Sequence, residues 1–79
     1  MFKIYGASWC RPCNTTKDFF DSKGIQYEYI DIDNTENIVE EKRIQSIPVI
    51  EKYRNDILIK SYVGSIENIN EYESEFGDD

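Results

Sequence analysis

Apolar positions recur along this chain at two spacings, every second residue and every third or fourth. The switches between them mark out four strands and three helices. Met1 to Tyr5 sets Phe2, Ile4 and Tyr5 around Lys3 and predicts a strand. Gly6-Ala7-Ser8 is a turn of small residues leading to a pair of cysteines. Cys10 to Ser22 predicts a helix in which Thr16, Phe19 and Phe20 share a face with Cys13, while Lys17, Asp18 and Asp21 lie elsewhere. Lys23-Gly24 ends it, a basic residue followed by a glycine past the end. Ile25 to Ile32 alternates again and predicts a second strand, buried on both faces towards its end. Asp33-Asn34-Thr35 offers turn and cap chemistry ahead of a short polar helix, Glu36 to Arg43, with Ile38, Val39 and Ile44 facing inward.

Ile47-Pro48-Val49-Ile50 opens a third strand, with Pro48 at a strand start or edge where no ladder donor is needed. Tyr53-Arg54-Asn55-Asp56 predicts a hairpin turn, and Ile57 to Val63 a fourth strand of near-continuous apolar character. After Gly64, Ser65 is expected to cap a last helix, Ile66 to Phe76, with Ile66, Ile69, Tyr72 and Phe76 at helical spacing. Gly77-Asp78-Asp79 is expected to fray. A strand–helix–strand crossover implies parallel strands and a tight hairpin antiparallel ones. The expected class is therefore α/β, a four-stranded mixed sheet with helices on both faces.

Composition narrows the functional classes. The 79 residues make one small domain, 1–79, and a domain near this size buries only about 60% of its unfolded surface. There is no room for a second domain with a cofactor site of its own. The formal charge of −7 disfavours nucleic acid and anionic membranes as partners. With no long apolar run and no signal-peptide pattern, a reducing, cytoplasmic setting is expected; the chain is also expected to be a monomer. The acids from Glu67 onward, with no base among them, read as a solvated face.

The chemistry sits in Trp9-Cys10-Arg11-Pro12-Cys13, which holds the only two cysteines. A Cys-x-x-Cys pair after a strand and at a helix start reads as a dithiol–disulfide redox site. The spacing brings both sulfurs to one side of a single turn. Free backbone N–H groups and the helix dipole favour a thiolate there. Arg11 adds a positive charge, and Pro12 suits a first turn that needs no N–H from it. Cys10, the outer residue, is thus the expected nucleophile, and Cys13 the residue that resolves the mixed disulfide. A structural disulfide is a poorer reading, because closing a four-residue loop contributes about 2 kcal/mol, against about 4.7 for a 100-residue loop. A zinc site normally needs four ligands, and the chain has no histidine and no third cysteine; metal or an iron–sulfur cluster would require a dimer.

Three motifs in this order, Cys10-x-x-Cys13, Ile47-Pro48 and Gly64 at the end of the fourth strand, resemble the thioredoxin superfamily. Length and the strand-first start resemble its minimal members, the glutaredoxins and glutaredoxin-like small thioredoxins. The resemblance covers nearly the whole chain and implies a thioredoxin-like fold. It implies that Pro48 is cis and beside the cysteine pair, with the backbone of Ile47 pairing with an extended substrate and Gly64 at the same site. Trp9 either shapes the substrate groove beside Cys10 or caps the core; its place next to the nucleophile favours the groove. Tyr5, Tyr27, Tyr29 and Tyr62 read as core and sheet-face residues with no chemistry assigned.

The mouth of the site is similar to the thioredoxin pattern Trp-Cys-Gly-Pro-Cys, with Arg11 in the glycine slot. The lysine that glutaredoxins carry three residues before the first cysteine is Ala7 here, and the acid after the fourth strand is Ile66. Lys42, Arg43 or Arg11 are the basic residues left to hold glutathione. The buried aspartate that large thioredoxins carry six residues before the first cysteine is Ile4, so proton transfer would fall to solvent or another carboxylate.

The expected activity is reduction of protein disulfides with no bound cofactor. By resemblance, the clients include ribonucleotide reductase or a similar enzyme, and electrons come from a thioredoxin reductase. The alternatives are a glutathione-dependent glutaredoxin with glutathione as co-substrate, an iron–sulfur dimer bridged through Cys10, and an interaction module with an incidental disulfide.

Overall fold

In the computed structural model, which describes residues 1–77, β1 (Phe2–Gly6) runs through the middle of the molecule. It pairs in parallel with β2 (Tyr27–Asp31) and antiparallel with β3 (Val49–Arg54), and β3 pairs antiparallel with β4 (Ile57–Val63). The sheet order is β2-β1-β3-β4. The expected α/β class, with a four-stranded mixed sheet, is what the chain forms. Asp78 and Asp79, expected to fray, lie outside the described residues. Gly77 closes the preceding helix with an N–H to the Glu73 carbonyl at 2.9 Å.

Alternation along β1 divides the sheet into two faces. Phe2 and Ile4 point to one face, where α1 (Arg11–Ser22) and α3 (Ile69–Phe76) pack. The core there is Phe2, Ile4, Phe19, Phe20, Ile50, Ile66 and Phe76. The Phe2 ring meets Phe20 and Phe76 edge-on, each at 5.2 Å between centroids, and so joins β1 to both helices. Each such side chain contributes roughly 1.5–3 kcal/mol by burial, and the edge-on pairs add about 0.5–1.5 kcal/mol. One polar contact crosses this core. Thr16 of α1, fully buried, accepts the Ile66 N–H at 3.0 Å and ties the first helix to the segment that leads into the last.

The other face carries α2 (Ile38–Lys42), held by a polar cluster. Glu51 is only 5% exposed. Its Oε1 accepts the hydroxyls of Tyr5 at 2.8 Å and Tyr53 at 2.7 Å, and its Oε2 meets Lys42 Nζ at 3.4 Å. Burial works against the Lys42 ammonium, but Glu51 and Tyr53 beside it together outweigh that and raise its pKa.

Helix α1 ends as the sequence predicts. Gly24 takes φ +66, its N–H reaches the Asp21 carbonyl at 3.2 Å, and the Ile25 N–H reaches Phe20 at 3.0 Å. This pair of bonds is the Schellman closure that a glycine permits. Other expectations need correction. β2 is an edge strand and only half-buried, because it has β1 on one side and, among the described residues, no strand on the other. α2 begins at Ile38 rather than Glu36, because Asn37 sits at φ 64, a left-handed conformation that no helix continues. Asp33 and Asn34 are instead bound back to the Asp31 carboxylate. Val39, expected to face inward, is 39% exposed.

The hairpin turn is confined to Asn55 and Asp56, both at positive φ, the two-residue geometry that matches strand twist. Tyr53 and Arg54 belong to β3. α3 begins at Ile69, capped by Asn68, whose side chain accepts the Glu71 N–H at 3.0 Å. Ser65 bonds Glu67 instead, and Ile66 is core but not helical. No helix among the described residues is long and apolar enough to cross a membrane.

Two outcomes follow for stability. Thr16→Val keeps the shape but leaves the buried Ile66 N–H without its acceptor. The expected loss is about 1–3 kcal/mol, read as a lower denaturant midpoint at unchanged slope; an unchanged midpoint would refute the role given to this bond. The second concerns alkali. Burial holds the phenols of Tyr5, Tyr27, Tyr29, Tyr53 and Tyr72 above their ordinary pKa, with Glu51 adding to the effect on Tyr5 and Tyr53. The unfolded chain releases these protons near pH 10 and the folded chain holds them longer. Stability is therefore full below about pH 10 and falls as pH rises beyond it. Denaturant midpoints of the oxidised protein between pH 8 and 11.5 test this, and a flat profile would contradict it.

Candidate active site

The site forms where the N-terminus of α1 stands on the end of β1. After Gly6 the chain turns, and the Cys10 N–H bonds to the Ala7 carbonyl at 3.0 Å. Cys10 is the N-cap residue of α1, with extended backbone at φ −91 and ψ 111, and its Sγ accepts the Cys13 N–H at 3.2 Å. A sulfur therefore occupies the position where a capping oxygen normally meets the free N–H groups of a first turn. Arg11 and Pro12 fill that turn and are exposed. The two cysteines are joined as a disulfide. Cys10 keeps 6% of its surface exposed and Cys13 none.

The disulfide has a small apolar cluster of its own, apart from the main core. Ala7, Cys10 and Cys13 are its buried members, and Ile32 and Ile47 pack against them. The Ile47–Pro48 peptide bond is cis, and Pro48 is fully buried. The Pro48 carbonyl accepts the Gly64 N–H at 2.9 Å, which brings Gly64, at φ +130, to the start of β3. Of the residues singled out from sequence, Ile47 thus touches the disulfide cluster, and Pro48 and Gly64 are hydrogen-bonded to each other.

Trp9 does not cap the core. It is 69% exposed, and its Nε1 donates to Asp33 Oδ2 at 2.7 Å. Held that way, the indole forms one wall of a mostly apolar groove lined also by Ile32, Val39, Ile44 and Ile47, with Gln45 and Ser46 between the last two. The exposure of Val39 is explained here, since it faces this groove rather than the core.

The slots where the resemblance would place charged residues are all apolar and enclosed. Ala7, Ile66 and Ile4 are each fully buried, so none offers a charge to a ligand or a base to Cys13. Glu51, a buried carboxylate on β3, belongs to the opposite face of the sheet with Tyr5 and Lys42. Cys13 lies on the α1 face: a Cβ built on Gly6 would come within 3.0 Å of both Cys13 Cβ and Sγ. Among the described residues no cluster of three or more carboxylate, histidine or cysteine side chains is placed to hold a metal ion.

Sequence reasoning assigned Tyr29 no chemistry. Its hydroxyl is buried and has no hydrogen-bond partner, a condition that costs about 1–3 kcal/mol. The Cβ that Gly6 lacks would also stand 2.5 Å from this oxygen. The signal available in the sequence was the glycine at the strand end, which announces a close approach without saying what approaches. Spacing and composition mark Asp33 only as a turn residue and give no sign of the roles of Asp33 or Glu51 here.

Chemically the pair is a thiol–disulfide redox centre, able to take up two electrons and open to a dithiol. A protein-family model described as glutaredoxin matches residues 2–51. Over 67 residues the chain is 28% identical to thioredoxin domain-containing protein 2 of Homo sapiens, covering 78% of this chain and 12% of that protein. It is 34% identical over 56 residues to thioredoxin 3 of Plasmodium falciparum, covering 65% of this chain and 31% of that one. The chain thus spans less than a third of the length of either relative. A crystal structure of Plasmodium falciparum thioredoxin superposes with a TM-score of 0.73 at 26% identity, over 96% of this chain and 67% of that one. Reduced Schistosoma mansoni thioredoxin, at 23% identity and a TM-score of 0.69, covers 82% and 66% and shares the fold. The stretch matched by the family model contains both cysteines, Pro48 and every element up to the middle of β3, and the chain belongs to the glutaredoxin family.

Proposed function

We propose that this thiol–disulfide oxidoreductase reduces disulfides in client proteins, with electrons returned by a flavin-dependent thioredoxin reductase. The observation that carries the reading is the unequal access to the two sulfurs. Cys10 lies at the helix N-terminus and keeps some exposure, while Cys13 is enclosed. In the dithiol state the Cys10 thiolate attacks one sulfur of a client disulfide. That bond breaks, and the other client sulfur leaves and takes a proton. Cys13 then loses its proton and attacks Cys10 Sγ, the bond from Cys10 to the client breaks, and the second client sulfur leaves. The products are the reduced client and the Cys10–Cys13 disulfide.

Trp9, Ile47, Pro48 and Gly64 are assigned to the client, which lies along the apolar groove next to Cys10. By the resemblance already described, clients include ribonucleotide reductase or an enzyme with the same need for two electrons. The setting that keeps such a pair cycling is a reducing compartment such as the cytoplasm. The choice of thioredoxin reductase over glutathione rests on Ala7 and Ile66, buried and apolar where glutathione-binding charges are expected. The glutaredoxin family match favours the second reading, in which glutathione supplies the electrons.

A paired turnover assay on one disulfide substrate separates the two. One arm supplies NADPH with thioredoxin reductase, the other NADPH with glutathione and glutathione reductase. Turnover is expected in the first arm only and is expected to vanish in Cys10→Ser; turnover confined to the second arm would move the function to glutathione. A further expectation concerns the reduction potential. The helix N-terminus and the exposed Arg11 favour the Cys10 thiolate and so the reduced form. The potential is expected to be less negative than about −270 mV and to approach about −200 to −230 mV. A value below −270 mV, the thioredoxin figure, would overturn that reasoning.

A further inference from the structure

Two groups face the space left by the missing side chain of Gly6. A Cβ there would stand 3.0 Å from Cys13 Sγ and 2.5 Å from the Tyr29 hydroxyl oxygen. Tyr29 lies on β2 in register with Ile4 of β1. Where Ile4 has no ionisable group to offer, the phenol registered beside it does. Its oxygen is buried and, among the described residues, is the one buried side-chain polar atom left without a hydrogen-bond partner. The ring is held by Lys17 of α1, whose ammonium lies 5.0 Å from its centre. Asp31, on the same strand, is the other charge that bears on it.

A buried hydroxyl left unpaired in a native fold calls for an explanation, and a partner gained in another redox state is one that the neighbouring Cys13 sulfur can supply. The state shown is oxidised, and a sulfur in a disulfide is a weak acceptor. Reduction turns Cys13 into a thiol, and deprotonation turns it into a charged acceptor, for which hydrogen bonds are shorter and about twice as strong. Burial and the Asp31 carboxylate raise the phenol pKa, so Tyr29 keeps its proton over the range in which thiols titrate.

We propose that Tyr29 is a catalytic hydrogen-bond donor to Cys13, its hydroxyl meeting Sγ once the disulfide opens and stabilising the resolving thiolate. The proposal rests on the reading that the Cys10–Cys13 pair cycles, and it adds the group that eases removal of the Cys13 proton. That proton leaves to water. Tyr29 keeps its own and supplies only the hydrogen bond, so the electron balance of the exchange is unchanged. The same hydroxyl is orphaned in the disulfide form and satisfied in the dithiol form. It therefore shifts the redox equilibrium towards the dithiol, which a group with a purely structural role does not do.

Tyr29→Phe tests this, since it removes one unpaired oxygen and keeps the ring. Its reduction potential, set against wild type in a small-molecule thiol–disulfide buffer, is expected to fall by about a factor of ten in equilibrium constant, about 30 mV. In the Cys10→Ser background the Cys13 thiol pKa is expected to rise by about one unit in Tyr29→Phe. The oxidised variant should be at least as stable as wild type, and the gain should be lost on reduction. An unchanged potential together with an unchanged Cys13 pKa, or equal stability changes in both redox forms, would overturn the proposal. These measurements use the protein without client or reductase, so they hold or fail independently of the turnover assay.

Discussion

The close approach of α1 to the end of β1 is the constraint on which the site depends. Gly6 leaves no side chain between the strand and the helix, so Cys13 can sit directly on the backbone. A Cβ at that point would press on Cys13 from one side and Tyr29 from the other. With the first turn of α1 held there, Cys10 falls at the N-cap and its sulfur meets the Cys13 N–H. The aromatic core below performs the same task at longer range. Phe2 locks β1 to Phe20 of α1 and Phe76 of α3, and Thr16 carries a hydrogen bond from α1 to the backbone at Ile66. The disulfide is thus positioned by packing against a rigid strand, while the groove beside it is built from loop residues and a short helix.

The two faces of the sheet are held by different forces. The α1–α3 face is apolar and aromatic. The α2 face relies on one carboxylate, Glu51, which gathers two tyrosine hydroxyls and the Lys42 ammonium. A five-residue helix has too few apolar positions to anchor itself by burial, and α2 has no buried residue. A buried, fully bonded acid supplies the missing attachment, because a carboxylate enclosed at this depth has to be paired. The arrangement leaves Val39 of α2 free to line the groove.

Local rules were enough for the elements whose signals reinforce one another. β1, α1 and β4 were legible because strand alternation, a cysteine at a helix start, a glycine closure and turn residues all agree on their bounds. α2 and α3 were misplaced at their starts because several polar residues compete for the cap. Asn68, not Ser65, meets the free N–H, and Asn37 adopts a left-handed backbone that no spacing rule shows. β2 carried enough apolar residues for burial on both faces, yet its place at the sheet edge is set by topology rather than composition. At the site, the cysteines could be read from their spacing. Trp9 could be narrowed to two positions and needed Asp33, far along the chain, to settle which. Tyr29 stayed hidden, since its importance lies in what Gly6 lacks, and a missing side chain has no pattern of its own.

The polar balance around the disulfide points in one direction. The helix N-terminus, the Cys13 N–H on Cys10 Sγ and the unpaired Tyr29 hydroxyl all favour negatively charged sulfur over the closed bond. Enclosing Cys13 in apolar surroundings does the reverse, because burial disfavours a charged thiolate. On the proposed reading, a donor offsets that cost when Cys13 gives up its proton. Ile4, Ala7 and Ile66 are given over to packing, which a small domain needs more than a larger one does. A donor on the neighbouring strand reconciles those demands: the core under the site stays apolar apart from the bonded Thr16 hydroxyl, and the Tyr29 hydroxyl stands near the second sulfur, where charge is proposed to form.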